Sequence, residues 1–246
     1  MRMIERTVIT TAALALLTSL LSLPRVGAQV VTPDRVVSVE YGEMGGRGSG
    51  NLPESVLGPP DTVGRETVST IDPAEILSLG LGGEIILEFV DHVVIDGPGV
   101  DVTIFENAFV YRLGGKDKLY AEPADVSVSV DGMEWHTFPF DPTTLEGCAG
   151  VTPTHGDNDP SDPSVSGGDG FDLSTIGIPW FRYIRLRDVS RIILDDPSHP
   201  FYDATINGFD LDAVVAVHYM VDGLTDVPTI GDDQERRTPP LLLSID

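Results

Sequence analysis

The chain has 246 residues, with 15 Lys and Arg against 39 Asp and Glu, for a formal net charge of −24 at pH 7. A field of that sign repels nucleic acid and anionic membrane surfaces and attracts cations, so nucleic-acid binding is excluded as a leading function. Cys148 is the only cysteine, so no internal disulfide forms, and stability must come from the core and any bound ion.

At the N-terminus Arg2 and Arg6 precede a mostly apolar run over residues 8–23, followed by Pro24-Arg25-Val26-Gly27-Ala28. This is the order of a secretory signal peptide (1–28), with cleavage expected after Ala28. Threonines and serines interrupt the run, and its strictly apolar stretches fall short of the ~20 residues that span a bilayer. The mature chain is therefore expected to be secreted or held at the cell surface, with no membrane insertion after cleavage. Residues 29–221 read as one domain, and 222–246 as a polar, Pro-containing, disordered tail.

Residues 36–41 alternate as a first strand, with Val37, Val39 and Tyr41 on one face. The Gly-rich loop 42–50 lacks the Lys-Ser/Thr of a phosphate cradle, and residues 52–61 are too rich in Pro for regular structure. Strands are expected at 76–79 and 84–90, the latter with Ile85, Leu87 and Phe89 on one face. The stretch from Asp96 to Asn107 opens as an Asp-Gly-Pro-Gly turn and becomes a strand with Val102, Ile104 and Glu106 on one side. Residues 109–113 follow, and 114–117 turn the chain. Val126, Val128 and Val130 alternate with Ser127 and Ser129; Asp131-Gly132 is a hairpin signal, and the returning strand at 135–138 puts Trp135 in the core. Residues 141–172 read as a long irregular insertion. Strands are expected at 181–188 and 192–194, and a last one at 209–217 with Leu211, Ala213, Val215 and Val217 on one face. No segment sustains a 3.6-residue apolar period. Many short strands joined by Gly, Pro and Asp turns define an all-β fold, an antiparallel β-sandwich with long loops and little helix.

Val126-Ser-Val-Ser-Val-Asp-Gly-Met-Glu-Trp135, with Phe181-Arg-Tyr-Ile-Arg-Leu-Arg187 later, resembles the strand pair of discoidin (coagulation factor 5/8 type C) domains, jelly-roll sandwiches of the galactose-binding-like class. A series of phrases in order is similar to a group of bacterial secreted or cell-surface proteins: Leu77-Ser-Leu-Gly-Leu-Gly-Gly83, Asp96-Gly-Pro-Gly99, Phe105-Glu-Asn107, Tyr120-Ala-Glu-Pro123, Gly147-Cys-Ala-Gly150, Gly167-Gly-Asp169, Phe171-Asp-Leu173 and Gly208-Phe-Asp-Leu-Asp-Ala213. Together they span about residues 36–217. The resemblance implies a jelly-roll binding module outside the cell, of a kind that often takes sugars or other surface polymers through loops at one end and often holds a structural Ca²⁺. Residues 52–61 do not match the Asp-rich discoidin turn, so that family's ligand residues have no counterpart here.

Calcium is the cofactor that the composition favours, because Asp outnumbers Glu 26 to 13 and Ca²⁺ takes six to eight oxygens from carboxylates, amides and carbonyls. One cluster is Asp96, Asp101, Glu106 and Asn107. The other is Asp157, Asn158, Asp159, Asp162, Asp169 and Asp172, joined by Asp210 or Asp212; the same residues also suit turns and backbone caps. Strand parity places Glu106 inward and Asp101 outward, so the first cluster cannot share one ion without a bulge near Phe105. The metal candidates are therefore Glu106, Asn107, Asp157, Asp159 and Asp169. The five histidines are scattered, with no zinc spacing, and no Gly-x-Ser-x-Gly elbow occurs. Tyr111, Trp180 and Tyr202, beside expected loops, are the candidate ligand-binding aromatics, since a ring offers an apolar platform to a sugar. The expected function is a non-catalytic adhesion or glycan-binding module for a glycan or another surface polymer. A structural envelope protein without a specific sugar ligand and a polysaccharide hydrolase are the alternatives.

Overall fold

The computed structural model describes residues 29–222; the stretch expected to be a signal peptide (1–28) and nearly all of the expected C-terminal tail lie outside the described residues. Fourteen strands occur among them: β1 (Arg35–Glu40), β2 (Leu77–Ser78), β3 (Glu84–Glu88), β4 (His92–Ile95), β5 (Val102–Glu106), β6 (Phe109–Leu113), β7 (Lys116–Tyr120), β8 (Ala124–Ser129), β9 (His136–Thr137), β10 (Asp169–Phe171), β11 (Trp180–Phe181), β12 (Tyr183–Asp188), β13 (Asp210–Ala216) and β14 (Tyr219–Val221). One sheet runs β1-β3-β12-β8-β9 and a second β10-β5-β13-β2; β11-β4-β14 and the hairpin β6-β7 complete the set, and every pairing is antiparallel.

The two large sheets face each other. Ile85 and Leu87 of β3, Val126 and Val128 of β8, and Ile184 and Leu186 of β12 close on Val102 and Ile104 of β5 and Leu211, Val214 and Ala216 of β13. The chain is thus the antiparallel β-sandwich that the strand pattern predicts. Strands with clean alternation sit as expected because each has one face on this core.

Two bulges change which residues face inward. In β1 the pairing with β3 slips between Val36 and Ser38, so Val36 and Val39 pack on the core and Val37 is exposed. In β13 the pairing with β5 slips between Leu211 and Ala213, at Asp212. Leu211, Val214 and Ala216 consequently share the inner face, while Ala213 and Val215 join Phe105 on the outer one. Uninterrupted alternation gives the opposite partners, because a single extra residue reverses every side chain beyond it.

Other departures follow from local chemistry. Residues 192–194 belong to a one-turn helix, α1 (Arg191–Leu194), rather than a strand. The 141–172 insertion is not wholly irregular: its end forms β10, which adds an edge to β5. Trp135 is half-buried, with the Arg185 guanidinium 4.6 Å above its ring, instead of in the core. Arg187 pairs with a carboxylate, donating to Asp125 at 2.6 Å.

Every residue of β5 and β13 is buried. Their outer face is covered partly by the insertion: Gly168 has φ +70° and lies so close to β5 that a Cβ there would stand 2.8 Å from the Ile104 carbonyl and the Phe105 ring. Gly177 shares the left-handed conformation (φ +69°) but faces open space. Gly168→Ala is expected to lose about 2–4 kcal/mol in urea unfolding, and Gly177→Ala about 1 kcal/mol, the difference measuring the close approach alone.

Candidate functional site

Two places concentrate chemistry. The first is a cleft of about 750 Å³ along one open side of the sandwich, lined by residues following β9, by β10 and by the segments beside them. β9 is the last strand of one large sheet and β10 that of the other. Phe138 and Phe171 make an edge-on pair there, with centroids 5.0 Å apart, and both are nearly fully buried. Phe140, half-buried, adds a third ring, and Asp141, Glu146, Thr152, Asp172 and Thr175 supply polar groups; no Lys or Arg lines the cleft. Cys148 also lines it, and burial pushes its thiol up to about 12, so it packs as a small hydrophobe.

Asp169, a candidate metal ligand, lies at this cleft but is engaged with backbone. Its Oδ2 accepts N–H bonds from Gly150 (2.8 Å), Val151 (3.0 Å) and Thr152 (3.3 Å), tying the insertion to β10. Asp141 similarly holds the N–H groups of Thr143 and Thr144, which keep it below the usual carboxylate range. Asp172 caps Ser174.

The second place is an acidic pole where β5 ends and β13 begins. Glu106, Glu122 and Asp210 are all buried there. Glu106 Oε1 faces the Asp210 N–H at 3.4 Å, Asn107 Nδ2 donates to Asp210 Oδ2 at 3.1 Å, and Glu122 Oε1 accepts from Asn207 N (2.6 Å) and Gly208 N (2.9 Å). Burial, reinforced by Glu122 and then Asp210, holds Glu106 well above the usual carboxylate range, and burial with Asp210 nearby raises Glu122 to about 8. Burial likewise raises Asp210.

The remaining candidates fall elsewhere. Asp157 is exposed and pairs with Arg65 at 3.4 Å, and Asp159 is exposed and binds the Ser161 N–H and hydroxyl; neither joins Glu106. Both act as loop groups because an exposed Asp readily binds backbone two residues ahead. Trp180 is 6% exposed, within β11 and paired to Ile95 of β4, so it presents no ring for a ligand. Tyr111 and Tyr202 do come together, beside the β6-β7 hairpin. Tyr111 donates to Asp203 at 2.6 Å, Lys118 sits over its ring and donates to the Tyr202 carbonyl, and Tyr202 packs on a small core cluster with Leu81, Cys148 and Ile193. The Tyr111 hydroxyl and the Tyr202 carbonyl are thus committed within the fold.

Among the described residues, Asp96, Asp101 and Asp172 are the acidic group whose oxygens lie within 4.8 Å of one another. Asp101 is nevertheless filled by Gly97 N (2.7 Å), His218 Nδ1 (2.8 Å) and Leu173 N (2.8 Å). Residue spacing missed Phe138, Phe140, Phe171 and Glu122. Two rings flanking a proline in Phe138-Pro-Phe140 and an acid between Ala121 and Pro123 were the available signals.

No family model and no curated protein matches the chain. Among solved structures it is similar to the C-terminal domain of a chitobiase from Bacteroides fragilis (15% identity, TM-score 0.39, covering 78% of this chain and 98% of that one). It is also similar to a pectin binding carbohydrate binding module (12% identity, TM-score 0.33, 80% and 96%) and to a glycoside hydrolase (10% identity, TM-score 0.32, 76% and 31%). Likeness at this level carries no argument about ligand.

Asp169 gives a pH dependence. Burial outweighs its three N–H bonds and raises it from 3.8 to about 6. A carboxyl group whose folded value is raised stabilises the fold fully below its unfolded value, and that contribution is lost as pH rises through about 6. The stability difference between wild type and Asp169→Asn, measured by urea unfolding, should therefore shift against wild type by ~2 kcal/mol between pH 4 and pH 7.

Proposed function

We propose that the chain is an exported, non-catalytic binding module that takes a neutral glycan, or a similarly hydroxylated surface polymer, in the cleft between β9 and β10. The observation that carries this reading is the lining itself: the half-buried ring of Phe140, over the buried Phe138–Phe171 pair, stands beside carboxylates and threonines with no basic side chain. Aromatic faces stack on the apolar faces of sugar rings, and the oxygens around them accept hydroxyl protons. A cleft edged by Asp141, Glu146 and Asp172 in a chain of net charge −24 disfavours uronates, sulfated sugars and phosphates.

Binding is favoured over hydrolysis because most of the cleft's acids are already in use. Asp169 holds three backbone N–H groups, Asp141 two, and Asp172 one. Asp141, held below the usual range, stays ionised near neutrality and is no proton donor. Export rests on the signal pattern of residues 1–28.

A glycan array followed by calorimetry on the purified mature chain tests the reading. Neutral glycans should bind, and Phe140→Ala should weaken that binding about tenfold or more, in line with losing one stacking ring. Tyr111→Ala should leave it within about twofold, since that ring lies at another site. Absence of any glycan binding, or loss with Tyr111→Ala and not with Phe140→Ala, overturns the assignment to the cleft.

A further inference from the structure

The acidic pole stands apart from the cleft. Glu106 is 2% exposed and Asp210 7% exposed, and each leaves one oxygen, Glu106 Oε2 and Asp210 Oδ1, buried without a hydrogen-bond partner. Asp188 nearby shows how this fold satisfies a buried carboxylate. It accepts from Gly82 N, Ser190 N, the Ser190 hydroxyl and Phe209 N, so both oxygens are used. Glu106 and Asp210 are less complete: Asp210 is helped by the Ser78 and Asn107 side chains, yet one oxygen of each acid stays unpartnered. Among the described residues no Lys, Arg or His forms an ion pair with Glu106, Glu122 or Asp210. Arg47 lowers Asp210 through its field, but its guanidinium donates to the Ile71 carbonyl.

An orphaned buried carboxylate oxygen is costly, and two at one pole with a third acid beside them call for a neutralising partner, a cation or a shared proton. Asn107 completes the donor set. Its Nδ2 is committed to Thr70 O (3.2 Å) and Asp210 Oδ2 (3.1 Å), which leaves its amide oxygen to accept. We propose that Glu106 Oε2, Asp210 Oδ1 and the Asn107 amide oxygen bind a hard divalent cation, calcium by ligand type, with Glu122 supplying further negative charge. All the donors are oxygens, with no imidazole or thiolate, which disfavours zinc and copper. Ca²⁺ also accepts an irregular shell completed by carbonyls and water, whereas Mg²⁺ demands near-octahedral geometry. The Asp96-Asp101-Asp172 group is not this site, because Asp101 is saturated and none of the three leaves a buried oxygen unpartnered.

The test uses the purified mature chain after chelation, titrated with CaCl₂ and separately with MgCl₂ while the thermal midpoint is followed. At a 100-fold excess over its Kd, Ca²⁺ should raise the midpoint by about 5–10 °C, and Mg²⁺ by less. Glu106→Gln and Asp210→Asn should abolish that rise, and Asp172→Asn should keep it. Where a charge-neutralised variant fails to fold, terbium replaces calcium on the wild-type chain. Tyr120, whose hydroxyl is 3.5 Å from Glu122, should then sensitise its luminescence, and Tyr120→Phe should remove most of the signal. No rise with Ca²⁺, a rise lost only in Asp172→Asn, or a Tyr120-independent terbium signal overturns the site. A wild-type chain indifferent to Ca²⁺ but stabilised by Glu106→Gln would assign the pole to a shared proton instead.

Discussion

Burial of β5 and β13 on both faces is the constraint from which the rest of the structure follows. An antiparallel sheet commonly keeps one face in water, so its outward side chains need no partner. Here the inner face packs on the five-stranded sheet, while Phe105, Ala213 and Val215 are covered from outside. Polar groups on these two strands must therefore be satisfied by the protein or by something it binds. Asp101 is satisfied by Gly97, Leu173 and His218, and Asp212 receives the Asp61 N–H on both oxygens, at 3.0 and 3.1 Å. Glu106 and Asp210 retain buried free oxygens, which singles them out among the acids of these strands that were candidates from sequence.

The same constraint gives the long insertion its purpose. Residues 141–172 cross the outer face of β5, and Thr154 donates to the Glu106 carbonyl at 2.8 Å. Asp169 fastens residues 150–152, and the strand it begins, β10, extends the sheet. The segment that covers the sheet also builds the cleft, since Phe171 and Asp169 sit on β10 and residues between 141 and 152 line it beside them.

How far the sequence revealed this depends on the element. β3, β8 and β12 were legible because uninterrupted alternation puts Ile85, Leu87, Val126, Val128, Ile184 and Leu186 on one core face. β13 was visible as a strand, but its facing was not, because the Asp212 bulge leaves no mark in an apolar run; the same holds for β1 at Val37. β10 was hidden because Asp-Gly-Phe is too short to show a period and sits among turn formers. Glu106 was legible as an inward acid from its parity with Val102 and Ile104. Glu122 was not, since it lies outside any strand and reaches the pole only through the fold. The ring candidate Trp180 turned out to be core for a different reason: residue type indicates that a ring needs an apolar surface, and a core supplies one as well as a ligand does.

Cleft and pole share a mechanical frame. β10 lies against β5 with Asp169 opposite Ile104 and Phe171 opposite Val102, so the cleft floor is registered on the strand that ends in Glu106. On the other edge of β5, Leu211 stands opposite Glu106, and Asp210 immediately precedes it. A charge placed between Glu106 and Asp210 would clamp the end of the β5-β13 pair, where repulsion between buried acids otherwise favours separation. Clamping that pair would fix the edge on which β10 is laid, and with it the Phe138–Phe171 pair beneath the cleft.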